Sequence, residues 1–283
     1  VTGKRQLPSV AYLLLLPGMA WLAFFFVIPL VTLVQMSLQS GTFATGYALT
    51  WAFGNFPEAL SNYAPWFVRS FLYSGIATVI ALLIGYPLAY TIALRSGRLK
   101  YVLVTLVVAP FFASFLVRTI AWSSILSDTG IVVSVLRGIG ILGPQDHLLA
   151  TPVAVVAGLT YNFLPFMILP IFLSLDRFDI RMLDAAQDLY ASGWRAFKRV
   201  TFPLSLPGVV AGTLLCFIPA AGDFINAQLL GNSGSLMVGN VIDSQFLRVL
   251  DYPTAAALSV ILMILIIIPV SIYVRRTATE ELM

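Results

Sequence analysis

The sequence predicts an all-α, polytopic integral membrane protein with six transmembrane helices, on three observations. Of its 283 residues 59% are hydrophobic and 10% charged, whereas a soluble domain carries about a quarter charged residues. Apolar runs occupy about 9–38, 68–94, 101–125, 149–175, 204–224 and 253–274. Each approaches or exceeds the roughly 20 residues that carry a helix across a bilayer, and all are far longer than a membrane-barrel strand. Of the 16 Lys and Arg, 12 flank one side of these runs, and only Arg69, Arg118, Arg137 and Arg248 lie towards the other. This positive-inside bias predicts that both termini and the loop at 177–203 are cytoplasmic. The net charge of +4 therefore reads as a topology signal and gives no support to nucleic-acid binding.

Residues 1–65 are expected to hold an N-terminal transmembrane helix and an external segment. The apolar run to Leu38 is too long for a signal-peptide core and lacks a small-residue cleavage site, so it is expected to stay as an anchor, kinked at Pro17 and Pro29. Residues 39–65, with Trp51, Phe53, Phe56 and the lone acid Glu58, suit an interfacial aromatic belt or a binding surface. A second membrane domain is expected over 66–276. Its second span ends at Arg95, and the third starts after Lys100. If that span is one straight helix, Arg118 falls about 27 Å from Lys100, at the outer interface beside Trp122, and snorkels to headgroups.

Ile131 to Ile141 reads as a short interfacial helix. Gly138, Gly140 and Gly143 match G-x-G-x-x-G, but Pro144 comes at once after them and no βαβ unit surrounds them, so no dinucleotide site is expected. The only histidine, His147, stands near Asp146 in this loop and reads as solvated. The fourth span carries Tyr161 and Asn162 at its middle, then Pro165 and Pro170. The fifth contains Gly208 and Gly212, a spacing that permits close helix packing. Pro219 and Gly222 then disturb it before Asp223, expected about 27 Å from Ser205, at the outer mouth. Residues 225–251 are expected to be external. The sixth span is uncharged, ends at Arg275 and Arg276, and the single Cys216 reads as a small buried hydrophobe.

The longest polar interval is Asp184 to Pro207. Arg181 to Tyr190 suggests one short helix. Ser192 is placed to cap a second, with Trp194, Phe197 and Thr201 on one face and Arg195, Lys198 and Arg199 around it. Pro203 and Pro207 are expected to stop it. Two readings fit: a plug for a partner's groove, or an amphipathic loop on anionic headgroups.

These residues resemble the cytoplasmic "EAA" loop of permease subunits in bacterial ATP-binding-cassette importers. The pattern runs acidic-Ala-Ala, then Gly after three further residues, then a hydrophobic-x-hydrophobic-Pro end. Asp184, Ala185 and Ala186 fill its start, and Val200, Phe202 and Pro203 its end. Asp184 stands where Glu is usual and Tyr190 where Gly is usual, with Gly193 nearby. Three further stretches, PFFASFLVRTIAW (110–122), GLTYNFLPFMILPIFLSL (158–175) and FIPAAGDFINAQLLG (217–231), are similar to the spermidine/putrescine branch, parts of which are shared with iron, thiamine and phosphonate permeases.

No Ser/His/Asp set, no Cys/His metal spacing and no phosphate-binding G-x-x-x-x-G-K-[ST] loop occurs, so neither catalysis nor a metal is expected. With every charge near a membrane face, no ion-coupling site of the kind secondary transporters keep at mid-membrane is expected either. Energy for uphill transport then has to arrive through a partner.

The resemblance implies the type I importer fold and a bacterial plasma-membrane location. It implies a second permease subunit, a dimer of ATP-binding subunits that holds the ATP and Mg, and an extracytoplasmic substrate-binding protein, with no cofactor bound by this chain itself. It assigns coupling to Asp184, Ala185, Ala186, Tyr190, Ser192, Gly193, Trp194, Phe197, Arg199 and Pro203, with Trp194 or Phe197 as the inserted anchor. A flexible polycation needs carboxylates and aromatic faces, which points to Trp122, Tyr161, Asn162, Asp223, Phe224 and Asn226 as pathway candidates. Asp223 could equally pair with Arg118 or Arg248. A passive cation channel stays open as an alternative, because membrane potential alone favours cation entry by about 2.3 kcal/mol per charge per 100 mV.

Overall fold

The computed structural model describes residues 8–177 and 192–280, with side chains over 14–177 and 192–275. The expected first coupling helix, with Asp184, Ala185, Ala186 and Tyr190, lies outside the described residues. Those described residues form two compact units: the part up to Asn62 with Ile242–Met263, and Tyr63–Val241 with the residues from Ile264 onward.

In the first unit, α1 (Pro8–Leu22) runs through a π-helical turn at Ala23–Val27 into α2 (Ile28–Ser37). A proline at 29 cannot donate to the carbonyl four residues back and its ring crowds that carbonyl. The wider π turn just before it absorbs the mismatch, so the helix continues. Next comes an antiparallel hairpin, β1 (Gln39–Thr42) against β2 (Gly46–Leu49), with Gln39 opposite Leu49. Residues 39–65 thus hold a hairpin and the start of a long helix. After the hairpin, α3 (Asn55–Arg95) begins well before the expected second span and runs for 41 residues, about 60 Å or twice a hydrocarbon core. Asn55 fastens its start by donating to the carbonyls of Ser37 and Gln39, 2.9 Å each. The Tyr47 hydroxyl donates to the Leu250 carbonyl, and its ring packs on Tyr252 at 5.4 Å.

In the second unit the third apolar run is broken. The helix α4 (Lys100–Val108) tightens into a 3₁₀ turn at Ala109–Phe112, and α5 (Phe115–Ile125) leaves at 94°. Ala113 and Ser114 are extended at the corner, which composition alone could not disclose because all the flanking residues are apolar. The short α6 (Ile131–Gly138) lies near its expected place. Then comes α7 (Pro152–Asp176), whose Thr151 caps it by accepting from the Ala154 N–H.

The short helix α8 (Gly193–Ala196) and a π turn at Phe197–Thr201 run without a stop into α9 (Phe202–Ala221). Pro203 and Pro207 therefore do not end a helix. Pro203 sits just after the π turn, whose wider ring relieves the clash with the preceding carbonyl, so the helix continues. After Gly222–Phe224, α10 (Ile225–Leu230) turns back with Asn226, Ala227 and Leu230 buried, so this part of 225–251 is interior. The chain continues through α11 (Val238–Ser244) to α12 (Tyr252–Glu280).

The core of this unit is built on α7. Leu159, Phe163, Met167, Ile168 and Ile171 pack against Ala77, Ala81 and Ala89 of α3 and Val209, Cys216 and Ala220 of α9. The α7–α9 contact is close because α9 carries glycine there. A methyl at Gly208 would stand 2.6 Å from the Pro170 carbonyl oxygen, and one at Gly212 would stand 3.0 Å from that of Met167. In lipid, packing of this kind holds helices together where no hydrophobic drive exists.

Substituting Gly208→Val is expected to cost about 3 kcal/mol through overpacking against backbone, read as a lowered thermal midpoint of the solubilised protein. Gly212→Ala should cost less, and the reverse order of severity would count against this account of the α7–α9 contact.

Candidate functional site

Two places in the second unit gather polar groups. The first is a buried layer where both irregular backbone segments meet α7. Asn162, halfway along α7, donates from Nδ2 to the Thr119 hydroxyl of α5 at 3.1 Å and to Asn226 Oδ1 of α10 at 3.0 Å. Thr119 in turn donates to the Phe115 carbonyl. The Asn226 backbone N–H donates to Asp223 at 2.8 Å, so that Asp223 caps the turn into α10. The layer exists because α7 has Gly158 one turn before Asn162. A Cβ there would lie 2.7 Å from Asn226 Oδ1 and 2.3 Å from a Leu230 methyl.

Asp223 is 8% exposed, not at an open mouth. It lies just beyond the unbroken α9, as the rise from Ser205 predicts, but it is covered because α10 packs against α5 and α7. Its carboxylate makes no ion pair with Arg118. Arg118 is itself buried, 9% exposed, with its guanidinium carbon 4.5 Å from the Phe111 ring centre and 5.8 Å from that of Phe115. The expectation that it snorkels outward fails because the 94° corner removes the straight helix on which that placement depended.

Trp122 and Tyr161 pack at 5.2 Å between ring centres. Together with Tyr73, Ile80, Thr160 and Leu164 they line a groove of about 620 Å³. Phe224 is partly exposed, and its carbonyl accepts from Asn240 Nδ2 at 2.8 Å. The structure thus joins Asn162, Asn226 and Asp223 directly and sets Trp122 and Tyr161 apart from them as a pair. Sequence reasoning missed Thr119 and Gly158, although a glycine four residues before a mid-helix asparagine is a readable sign of close approach. His147, in the loop after α6, faces Asp128 at 2.8 Å and not Asp146.

The second place is the end of α7 and the start of α9. Lys100 Nζ lies 2.7 Å from Asp176, Ser174 donates to the Leu204 carbonyl at 3.3 Å, and the Tyr86 and Ser205 hydroxyls are 2.8 Å apart. Ser192 caps the short helix by accepting the Arg195 N–H, as its position in the sequence suggests. Phe197 packs edge-on to Tyr86 at 5.8 Å and near Phe202 at 6.1 Å. Trp194 stacks on Phe197 but is 71% exposed. Lys198 and Arg199 are exposed as well, and Gly193 and Pro203 begin the two helices.

A buried polar layer at two broken helices, together with a solvent-facing aromatic and basic turn, can be set against known proteins. The model of binding-protein-dependent transport system inner membrane components matches residues 85–278. The chain belongs to that family. It is therefore a multi-pass membrane subunit of such a transport system. Among its relatives is the spermidine/putrescine transport system permease protein PotB of Haemophilus influenzae, 38% identical over 90% of each chain. PotB of Escherichia coli K12 is 33% identical over 91% of this chain and 94% of its own. In fold it is similar to a chain of a bacterial ABC transporter involved in alginate import, with a TM-score of 0.71 at 19% identity over 95% of both chains. A chain of the MetNI methionine ABC transporter gives a TM-score of 0.54 at 15% identity, covering 76% of this chain and 92% of that one. The expected all-α importer-permease fold is thus present: among the described residues five helices are long and apolar enough to cross a membrane, and six if the bent α4–α5 pair is counted as one span.

Replacing Asn162 by Leu removes both side-chain bonds that join α7 to α5 and α10. The expected loss is about 1 kcal/mol, since interhelical hydrogen bonds in membranes average about 0.6 kcal/mol. A variant that melts at or above the native midpoint would show that the layer is not held by these bonds.

Proposed function

We propose that this chain is one of two permease subunits of an ATP-driven importer and that its solute is a polyamine such as spermidine or putrescine. The observation that carries the substrate class is the likeness to PotB from two bacteria, which extends over nine-tenths of the chain. The chemistry of the residues supports it. A linear polyammonium needs an acid for its charge, amide oxygens for its N–H groups and aromatic faces for its methylenes. Asp223, the Asn162–Asn226 pair, Phe224 and the Trp122–Tyr161 pair supply one of each kind.

The membrane is the bacterial plasma membrane, with both termini and the 177–203 turn on the cytoplasmic side, in line with the clustering of basic residues. The chain itself carries out no chemistry. ATP and Mg are held by a dimer of ATP-binding subunits, and an extracytoplasmic binding protein delivers the solute. The ATPase docks on Asp184 to Pro203. Trp194 is the inserted anchor: its exposure and stacking on a packed Phe197 leave it free to enter a partner's groove, whereas Phe197 is committed to Tyr86 and Phe202.

The reading is tested with the complete transporter in proteoliposomes supplied with labelled spermidine, with and without ATP. ATP-dependent uptake is expected. Uptake of a different solute under the same conditions would keep the importer and discard the polyamine, and uptake indifferent to ATP would establish a passive channel. Asp223→Asn is expected to lower spermidine uptake about tenfold, the loss of one charge-assisted hydrogen bond. Trp194→Ala should weaken ATPase docking about thirtyfold, as for an aromatic anchor worth about 2 kcal/mol. Coupled transport at the native rate in that variant would sink the docking assignment.

A further inference from the structure

The hairpin of the first unit has two unlike faces. Its register puts Gly41 opposite Tyr47 and Ser40 opposite Ala48, so odd- and even-numbered side chains alternate between the two sides of the ribbon. The even side is a hydroxyl face. Thr50 donates to the Ser40 hydroxyl at 2.9 Å, and beside the turn the Thr42 and Thr45 hydroxyls are 2.9 Å apart. The odd side bears Tyr47 and Leu49. Leu49 is exposed, and so are Phe43 in the turn and Trp51 and Phe53 just past β2.

The neighbours of the ribbon fix its level. It starts directly after the apolar span Leu14–Ser37, whose most apolar stretch is nowhere buried in this chain. The Leu38 carbonyl accepts both the Thr50 and the Ala52 N–H, which ties the exit of the ribbon to the end of α2. Tyr47 packs on Tyr252, the first residue of the span Tyr252–Arg275, and donates to the Leu250 carbonyl. The hairpin is held between the ends of two spans, where hydrocarbon gives way to headgroups, and its odd side is the one that meets α12.

Charge agrees with that level. No Lys, Arg, Asp or Glu occurs between Arg5 and Glu58, so nothing ionic draws the aromatic side into water. The π turn at Gln245–Val249, whose Phe246 packs on Tyr252 at 5.1 Å, exposes Phe246 and Leu247 next to an exposed Arg248. An arginine in such company lays its stem on apolar surface and keeps its head at the phosphates. Trp and Tyr gather at this boundary because their rings are amphipathic.

We propose that the hairpin, with the turn at Gln245–Val249, is an interfacial anchor: its aromatic side lies in the headgroup layer and its hydroxyl side faces water. A lipid surface is the occupant because the exposed apolar residues flank two span ends and continue the surface that α1 and α2 already give to lipid. Placement in the outer leaflet rests on the reading that both termini are cytoplasmic.

The test uses the complete transporter in nanodiscs, with Cys216→Ala, cysteine-free partner subunits and a fluorescent label at Leu49→Cys or at its neighbour Ala48→Cys on the hydroxyl side. Lipids brominated near the headgroup end of their chains are expected to quench the Leu49→Cys label about threefold more than the Ala48→Cys label, and aqueous iodide should do the reverse. Trp51→Cys serves as a second site on the apolar side, with the same expectation as Leu49→Cys. Equal iodide quenching at all three sites would put the ribbon in water and overturn the inference. Labels at Leu49→Cys and Trp51→Cys shielded from both quenchers would mean that protein covers this side, and would overturn it too. An impermeant thiol reagent added to whole cells tests the leaflet separately, and it should react with Ala48→Cys. Reaction only in inverted vesicles would overturn the outer-leaflet placement and the topology reading, while the quenching contrast would still decide the anchor.

Discussion

The rest of the structure depends on one constraint: inside a bilayer every backbone N–H and C=O must find a partner within the protein. Straight helices satisfy it by themselves. This chain breaks two of them, at Phe112–Phe115 and at Gly222–Phe224, and both breaks lie in the unit whose core is α7. The corner at Ser114 is closed by the Arg118 N–H donating to the Ser114 carbonyl, and by the Ala113 N–H to that of Pro110. At the second break the Phe224 carbonyl takes both the Gln228 N–H and the Asn240 side chain. Asn162 reaches beyond each break, to Thr119 and Asn226, and so ties the two irregular segments into one layer. Irregular backbone at membrane depth persists only where protein or a water-filled path surrounds it, which is why this layer, and not the longest helix, marks where solute contact is sought.

The number of spans and the capping of α8 by Ser192 are legible in the sequence because they rest on composition, charge asymmetry and local side-chain chemistry. The 94° corner is not. Pro110 and Ser114 hint at it, yet the run from Tyr101 to Trp122 has no polar interval that would separate two helices, and hydropathy does not report direction. Counting rise along a straight helix misplaces Arg118, whose helix turns at the corner, whereas Asp223 lies just beyond an unbroken α9 and is buried because α10 covers it. Residues 55–67 are hidden for a different reason. Their mixed polar and aromatic composition suits an interface, and only the continuation of α3 beyond any bilayer thickness shows them to be helical.

Proline is the residue most easily misread here. At Pro29 and Pro203 the chain inserts a π turn just upstream and keeps its helix, whereas at Pro110 it tightens to 3₁₀ and turns. The difference lies in the residues downstream of each proline. Beyond Pro29 and Pro203 they have helical partners in register, but beyond Pro110 the extended Ala113 and Ser114 restart the helix in a new direction. Because α8 joins α9 without a stop, Trp194 and Ala221 belong to one continuous helix, which ends one residue before the second break.

That continuity gives the two polar regions a physical relation. A helix that pivots at one end moves its other end, and the far end of α9 carries Gly222, Asp223 and the turn into α10. On its near end it is held by the Tyr86–Ser205 and Ser174–Leu204 bonds, with Lys100–Asp176 fastening α7 to the start of α4. Two connections thus lead to the Asn162 layer from this end of the unit, α9 to Asp223 and α4 with its corner to Thr119. The two routes converge on opposite sides of a single amide. Asn162 therefore holds both partners only while α5 and α10 keep their present distance from α7.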